Sequence, residues 1–119
     1  MSLASSTVKR YCLACDLKDD PALIKQYKAY HAPGKAWPEI TASIKEAGIL
    51  DMQIYLTGNR MFMIMEVDDS FSFERKQAMD QANPKVLAWE QLMSQFQQHL
   101  PWAGEEEKWI LLDQIFQLD

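Results

Sequence analysis

The sequence predicts an α+β domain with the element order β-α-β-β-α-β, which is the ferredoxin-like arrangement. Two observations support this prediction: two alternating apolar runs are joined by a two-residue turn, and a helical pattern lies on each side of this pair. A chain of 119 residues is long enough to bury one core and fits one domain. We therefore expect a single domain over residues 1–119, with residues 1–7 as a flexible leader.

The first predicted strand, over residues 8–17, contains two cysteines in a C-x-x-C spacing. Residues three apart in a strand point to opposite faces, so Cys12 and Cys15 are poorly placed to converge on a metal ion or to act as a redox pair. No second cysteine pair accompanies them in the sequence. We interpret both as structural thiols, which suits a protein of the reducing cytoplasm.

A helical region with an interruption follows this strand. Asp20 is the predicted N-cap, with Pro21 at the first helical position. A stripe with helical spacing then reaches His31, the pattern breaks at residues 33–34, and it resumes over residues 37–48.

The next two strands form the predicted hairpin. Apolar residues recur at every second position of residues 50–57 and residues 61–67, and Gly58-Asn59 between the two runs is typical of a two-residue turn. Tyr55 lies on the face opposite to the apolar row of its run. We interpret the alternating methionines of the second run as core residues rather than as a metal or cofactor site.

A second helical region is expected from near Ser70, its predicted N-cap, and it breaks before Asn83, the predicted N-cap of a further helix. This last helix carries an apolar stripe and is expected to end near Leu100. Residues 104–107 predict a solvated acidic turn, and residues 108–118 predict the strand that completes the pattern.

The composition excludes several classes of function. Seventeen acidic and twelve basic residues give a formal net charge of −5, so a nucleic acid or an anionic membrane surface is a poor ligand. No apolar run approaches the roughly 18 residues of a transmembrane helix, and the N-terminus lacks the pattern of a secretory signal. We expect a soluble cytoplasmic protein that binds neither nucleic acid nor membranes.

The predicted sheet has helices on one face only, so its other face needs cover. Tyr55 and Gln53 lie on this second face beside more apolar positions. Large exposed apolar faces are rare in monomers, and two sheets packed face to face would bury them. We therefore expect a homodimer.

The sequence contains no phosphate-binding or dinucleotide-binding glycine motif and no nucleophile elbow. His31 and His99 are far apart in the chain, which argues against a histidine metal site. The residues that remain as candidates for chemistry are polar or aromatic: Tyr27, His31, Trp37, Tyr55 and Trp89.

His31 is the candidate suited to proton transfer, because imidazole both gives and takes protons near neutral pH. Tyr27 lies four residues earlier and would project to the same side of a helix. Structural interpretations are also open: His31 as a favourable cation at a helix C-terminus, Tyr27 and Tyr55 as half-buried tyrosines with wet hydroxyls, and Trp89 as a packing residue.

Six short motifs occur in order along the chain: Tyr27-x-x-x-His31, Trp37-Pro38-Glu39-Ile40, Ile54-Tyr55-Leu56, Asn59-Arg60-Met61-Phe62, Trp89-Glu90-x-x-Met93 and Ile115-Phe116-x-Leu118. No single motif is diagnostic. As an ordered set, which extends from about Lys9 to Leu118, they resemble the L-rhamnose mutarotase family.

The resemblance implies an isomerase that interconverts the α and β anomers of a 6-deoxyhexose without a metal or an organic cofactor. It also implies a dimeric α/β barrel built from ferredoxin-like subunits, in agreement with the homodimer expected above. His31 is the implied general acid and base, and the implied substrate-binding residues are Tyr27, Tyr55, Trp89 and Trp37.

The spacing departs from the family after the histidine. His31 and Trp37 are six residues apart, whereas the corresponding pair of the rhamnose enzymes is four apart. The longer loop over residues 32–36 and the opening segment over residues 11–20 are more similar to a branch associated with L-fucose. We therefore expect L-fucose or L-rhamnose as substrate, with L-fucose favoured. Two alternatives stay open: a non-catalytic dimeric binding module, and a monooxygenase or dehydratase of the same barrel architecture.

Overall fold

The structure is a computed structural model that describes residues 8–119, and the leader expected over residues 1–7 lies outside them. The elements are β1 (Lys9–Leu17), α1 (Pro21–Tyr30), α2 (Pro38–Glu46), β2 (Ile49–Thr57), β3 (Arg60–Val67), α3 (Phe73–Gln81), α4 (Pro84–Ser94), β4 (Gln97–Gln98) and β5 (Ile110–Leu111). Within residues 8–119, no helix is long and apolar enough to cross a membrane.

The strands form one antiparallel sheet in the order β2-β3-β1-β4. β5 also pairs with β1. It lies next to β4, on the edge of β1 opposite to β3. The pair α1–α2 connects β1 to β2, and the pair α3–α4 connects β3 to β4. The predicted ferredoxin-like order is therefore confirmed, with each helical region divided into two helices.

Side chains alternate between the two faces of the sheet, and the core lies between one face and the helices. Leu17 of β1 and Met61 and Met65 of β3 are buried on this helix-covered face. Full burial of one such side chain stabilises the fold by about 1.5–3 kcal/mol. Cys15 is also buried here, whereas Cys12 pairs with a residue of the opposite face, and both thiols are free. The two cysteines therefore point apart, as their spacing predicts.

The hairpin between β2 and β3 turns at Gly58 and Asn59. Gly58 has a φ of +57°. Among residues 8–119 only glycines have a positive φ, so Asn59 has a negative one. A positive φ at the first turn residue alone is the geometry of type II′. Asn59 fixes this turn to the end of β1: its carbonyl accepts from the Leu17 N–H at 2.7 Å, and its Nδ2 donates to the Leu17 carbonyl at 2.9 Å. The predicted hairpin is confirmed.

Two of the predicted helix caps are confirmed, and one is displaced. The side chains of Asp20 and Asn83 each accept from two backbone N–H groups in the first turn of the helix that follows. The cap of α3 is Ser72 rather than Ser70, because the Ser70 hydroxyl bonds to Asp68 Oδ1 at 2.6 Å and Ser72 Oγ accepts from the Arg75 N–H at 3.0 Å.

The end of α2 is tightly enclosed. Gly48, the residue before β2, has a φ of +95°, and a Cβ built there would lie 2.6 Å from both Asp68 Oδ1 and Ser70 Oγ. Arg75 of α3 reaches this end and donates to the Glu46 and Ala47 carbonyls at 3.1 and 3.0 Å. These bonds satisfy carbonyls that the end of a helix leaves without a partner.

The expected end of the last helix is wrong. α4 ends at Ser94 rather than near Leu100, because the chain turns into β4 and pairs with the end of β1. His99 therefore follows a strand and does not lie at a helix end. Residues 104–107 are exposed, as expected of an acidic turn.

The final strand is much shorter than expected. Of residues 108–118, only Ile110–Leu111 pairs with β1, and the next N–H, that of Leu112, donates to the Cys12 carbonyl at 2.8 Å. The chain then leaves this edge of the sheet, and Ile115 is 94% exposed.

The face of the sheet without helices, here called the outer face, is formed by residues that pair across β2, β3 and β1: Gln53, Tyr55, Phe62, Ile64, Cys12, Ala14, Asp16 and Arg60. Asp16 is buried, and both of its carboxylate oxygens accept from Arg60, at 2.8 Å from Nε and 3.2 Å from a terminal nitrogen. The ring of Trp102 lies 5.0 Å from the Arg60 guanidinium carbon.

Candidate active site

A cavity of about 540 Å³ lies between the helices and the sheet, a volume within the range of small-molecule sites. The methionine row of β2 and β3 lines one side, and the other lining residues come from β1, the four helices, the loop after α1, β4 and the segment before β5. The polar and aromatic lining residues that bear on the chemistry are Tyr27, His31, Trp89, Glu90, Gln97 and Lys108. This cavity is the candidate active site.

The end of α1 holds the imidazole of His31 in place. The last turn tightens, so the His31 N–H bonds to the Lys28 carbonyl and leaves the Tyr27 carbonyl without its usual helical partner. His31 Nδ1 lies 2.8 Å from that Tyr27 oxygen. Because a carbonyl can only accept, Nδ1 carries a proton here and Nε2 is the nitrogen that exchanges one.

Tyr27 supports the imidazole and adds a hydroxyl to the cavity. Its ring is buried and stacks on His31 with 4.3 Å between ring centroids. Its hydroxyl oxygen accepts from Gln97 Nε2 at 3.1 Å. Burial raises the pKa of this phenol to about 12, so the hydroxyl keeps its proton at neutral pH and can donate a hydrogen bond to a ligand.

An aromatic cluster forms the wall beside His31. Trp89 is buried, and its ring meets His31 edge-on with 5.5 Å between centroids. Trp37 and Tyr30 contact the same indole, at 5.1 and 6.2 Å. These contacts fix the indole, which can present an apolar surface to the C–H side of a sugar.

The structure therefore brings together three of the five predicted site residues in one cavity: Tyr27, His31 and Trp89. Trp37 lies behind Trp89 and is outside the lining, although its neighbour Ala36 is part of it. Tyr55 lies on the outer face, 56% exposed, where its hydroxyl donates to Gln53 Oε1 at 3.0 Å. Tyr55 is thus on the opposite side of the sheet from the cavity of its own chain.

Of the six polar and aromatic cavity residues named above, three are not predicted from the sequence: Glu90, Gln97 and Lys108. Gln97 belongs to a two-residue strand, which is too short to show an alternating pattern. Lys108 follows the acidic turn, and nothing in its local sequence shows that the chain returns to the cavity there. Glu90 stands next to Trp89 and is part of the motif Trp89-Glu90-x-x-Met93, which could have drawn attention to it.

Charged side chains line the cavity between α3 and α4. Lys76 and Asp80 of α3 form an ion pair one helical turn apart. Glu90 of α4 is exposed as a whole residue, but partial burial of its carboxyl group raises its pKa. The charge of Asp80 adds to this rise, while Lys76 and Lys108 oppose it.

Neither metal ligation nor thiol chemistry has a visible centre in the described part of the chain. Residues 8–119 contain no group of three or more histidine, cysteine or acidic side chains that could hold a metal ion. Burial raises the pKa of the Cys15 thiol to about 12, which keeps it in its unreactive protonated form at neutral pH.

Comparisons with known proteins identify the family of this chain. Residues 10–118 match the profile of the L-rhamnose mutarotase family. The chain is 41% identical over 112 residues to an L-fucose mutarotase of Xanthomonas campestris pv. campestris, which covers 94% of this chain and 90% of that protein. It is 34% identical over 122 residues to a protein of Dictyostelium discoideum named only as UPF0734, with 97% and 94% covered.

The fold has a counterpart among solved structures. The crystal structure of the L-rhamnose mutarotase FA22100 from Formosa agariphila superposes with a TM-score of 0.66 and 19% sequence identity, over 93% of this chain and 99% of that one. At this identity the likeness concerns the fold, whereas the profile match spans nearly the whole chain. The chain therefore belongs to the L-rhamnose mutarotase family, a family of carbohydrate isomerases.

Proposed function

We propose that this protein interconverts the α and β anomers of L-fucose, and more slowly those of L-rhamnose, with His31 as a general acid and base. The observation that carries this proposal is the imidazole that lines the cavity with one nitrogen held by the Tyr27 carbonyl. Its other nitrogen, Nε2, is then the one that exchanges a proton with the substrate. The family assignment supports the reaction class.

The reaction requires only proton transfers, the breaking and re-forming of the ring C–O bond and a rotation about one other bond. A proton leaves the anomeric hydroxyl, the bond between C1 and the ring oxygen breaks, and a proton reaches the ring oxygen to give the open aldehyde. Rotation about the C1–C2 bond and ring closure on the other face give the second anomer. A group that gives and takes protons near neutral pH can speed these steps by about 10²–10⁴-fold.

The remaining cavity residues suit the binding of a deoxy sugar. The Tyr27 hydroxyl can donate to a sugar oxygen, and Gln97 holds that hydroxyl in position. The indole of Trp89 can pack against the methyl group and C–H face of the ring. The methionine row of the sheet supplies apolar surface for the same purpose.

The choice of sugar rests on the loop after His31 and on the most informative relative. Ala36, at the end of the longer loop, lines the cavity, so a change in loop length changes the wall beside the imidazole. The relative that is 41% identical is described as an L-fucose mutarotase. A sugar hydroxyl that leaves a buried polar group unpaired costs about 1–3 kcal/mol, or roughly a ten- to hundred-fold difference in rate.

Magnetisation exchange between anomers, measured by NMR, tests both parts of this proposal. L-Fucose and L-rhamnose are compared at equal concentration, in the same buffer, with and without the protein. We expect faster exchange for both sugars and a larger acceleration for L-fucose. A larger acceleration for L-rhamnose would reverse the sugar assignment, and no acceleration of either would exclude the activity.

We also propose that the protein acts as a homodimer that covers the outer face. Phe62 and Ile64 lie on this face beside the exposed Tyr55, and they give it an apolar centre. An apolar sheet face of this kind favours association with a second copy. In such a dimer Tyr55 belongs to the subunit interface.

A further inference from the structure

We propose that Glu90 is the second proton-transfer group of this cavity and works with His31 on the two oxygens of the anomeric centre. The inference rests on the proposed anomer exchange and deepens it. Ring opening has to move protons at two oxygens, the anomeric hydroxyl and the ring oxygen. Because Nδ1 of His31 is held by the Tyr27 carbonyl, one imidazole nitrogen, Nε2, exchanges a proton. Proton transfer at the second oxygen therefore requires another group.

The lining of the cavity leaves few candidates for a second base. Its titratable side chains other than His31 are Tyr27, Lys76, Asp80, Glu90 and Lys108. The lysines are ammonium donors, and the Tyr27 phenol keeps its proton because burial raises its pKa to about 12. Asp80 is occupied by its ion pair with Lys76.

Glu90 differs from these groups in being a carboxylate without a partner among residues 8–119. Among residues 8–119, no hydrogen bond or ion pair engages its carboxylate. It directly follows Trp89, whose indole meets the His31 ring, so the helix that supports the imidazole also carries this carboxylate. Glu90 also lines a smaller recess of about 310 Å³ between α3 and α4, and so stands where that recess meets the main cavity.

The proton balance of the step is complete with these two side chains. The Glu90 carboxylate takes the proton of the anomeric hydroxyl, the electron pair of the breaking C1–O5 bond moves to the ring oxygen, and protonated His31 donates from Nε2 to that oxygen. After rotation about C1–C2, His31 takes the proton back as the ring closes, and Glu90 returns its proton to the anomeric oxygen. No other reactant is consumed.

The surroundings of Glu90 suit a carboxylate that gives and takes a proton. Glu90 is exposed as a whole residue, but partial burial of its carboxyl group raises its pKa from the ordinary glutamate value, and Asp80 on α3 adds to this rise. Lys76 on α3 and Lys108 before β5 act in the opposite direction. The exchange rate should therefore fall on the acid side as Glu90 becomes protonated, with the midpoint shifted upward from that of an ordinary glutamate.

The test compares Glu90→Gln with Glu106→Gln, a matched change in the exposed acidic turn. Anomer exchange of L-fucose is measured from acid to neutral pH at a constant buffer concentration. We expect Glu90→Gln to lower the maximal rate by about 10²-fold or more, with a small change in the sugar concentration for half-saturation, and to abolish the acid limb. Glu106→Gln keeps the wild-type rate and profile.

Glu90→Asp separates proton transfer from packing. It retains a carboxylate on a shorter side chain, so we expect a reduced rate with the acid limb still present. A Glu90→Gln protein that keeps both the rate and the acid limb would overturn the role of Glu90 while leaving the proposed activity intact. Failure of the wild-type protein to accelerate either sugar would instead remove the proposed activity itself.

Discussion

At the residue scale, the last turn of α1 holds its own proton-transfer group. We expect His31→Ala to slow anomer exchange by about 10²–10⁴-fold, because the acid–base contribution of the imidazole is lost. His31 is an exposed residue after the end of α1, so the far-ultraviolet circular dichroism should not change. NMR magnetisation exchange on the folded variant measures the effect.

The other histidine provides the control for this prediction. His99 lies after β4 and is not part of the cavity lining. His99→Ala should therefore exchange the anomers at the wild-type rate. A folded His31→Ala protein with undiminished exchange would remove His31 from the mechanism.

A second residue-scale prediction concerns the charged pair of the outer face. Arg60→Met leaves the buried Asp16 carboxylate without the guanidinium that occupies both of its oxygens, and an unpaired buried charge is costly. We expect a clearly lower urea midpoint of unfolding at neutral pH.

Arg10→Met is the matched control, since the Arg10–Glu66 pair is exposed and contributes little. Equal urea midpoints for the two variants would show that Asp16 does not depend on Arg60.

At the element scale, the connection from α2 to β2 depends on the absence of a side chain. Gly48→Ala has to place a Cβ at a φ of +95° and 2.6 Å from two oxygen atoms. Gly34→Ala also requires a positive φ, but nothing lies within 4 Å of its Cβ position. We expect Gly48→Ala to lower the free energy of unfolding by more than the roughly 1 kcal/mol typical of an incompatible backbone, and by more than Gly34→Ala does. Thermal and urea unfolding of both variants measure this difference, and the reverse order would contradict it.

The sequence predicts well those elements whose signals lie within a few residues of each other in the chain. The hairpin follows from alternation and from Gly58, and the starts of α1 and α4 follow from Asp20 and Asn83, because these signals act within a few residues. The two-residue β4 has no local signal. It exists because Gln97 and Gln98 pair with the end of β1, which is distant in sequence.

The same distinction explains which site residues could be predicted. Tyr27 and His31 share a helix side at a spacing of four, and the resemblance to the family adds Trp89. Glu90 and Lys108 meet at the cavity only after the sheet has formed. For Tyr55 there are two expectations, a position on the outer face of the sheet and a role in substrate binding, and the cavity of one chain cannot meet both. Its position on the outer face follows from strand alternation rather than from the family motif.

At the scale of the whole molecule, the outer face determines the expected state of association. We expect a dimer at micromolar concentration by light scattering, and a monomer for Phe62→Asp, which places a charge at the apolar centre of that face. Leu87→Asp is the control, because Leu87 is an exposed apolar residue of α4. A folded Phe62→Asp dimer, or a wild-type monomer, would contradict the proposed assembly.

The turn at Gly58 has a consequence for how the length of this chain can vary. A one-residue slip in β3 would exchange its two rows, so that the side of the methionines would receive Phe62 and the opposite side would receive the methionines. The cavity and the face proposed for association would be lost together. The bonds from Asn59 to Leu17 hold the register against such a slip. We therefore expect an inserted residue at this turn to destabilise the protein, and an insertion over residues 32–36 to change the rim beside His31 while every strand keeps its register.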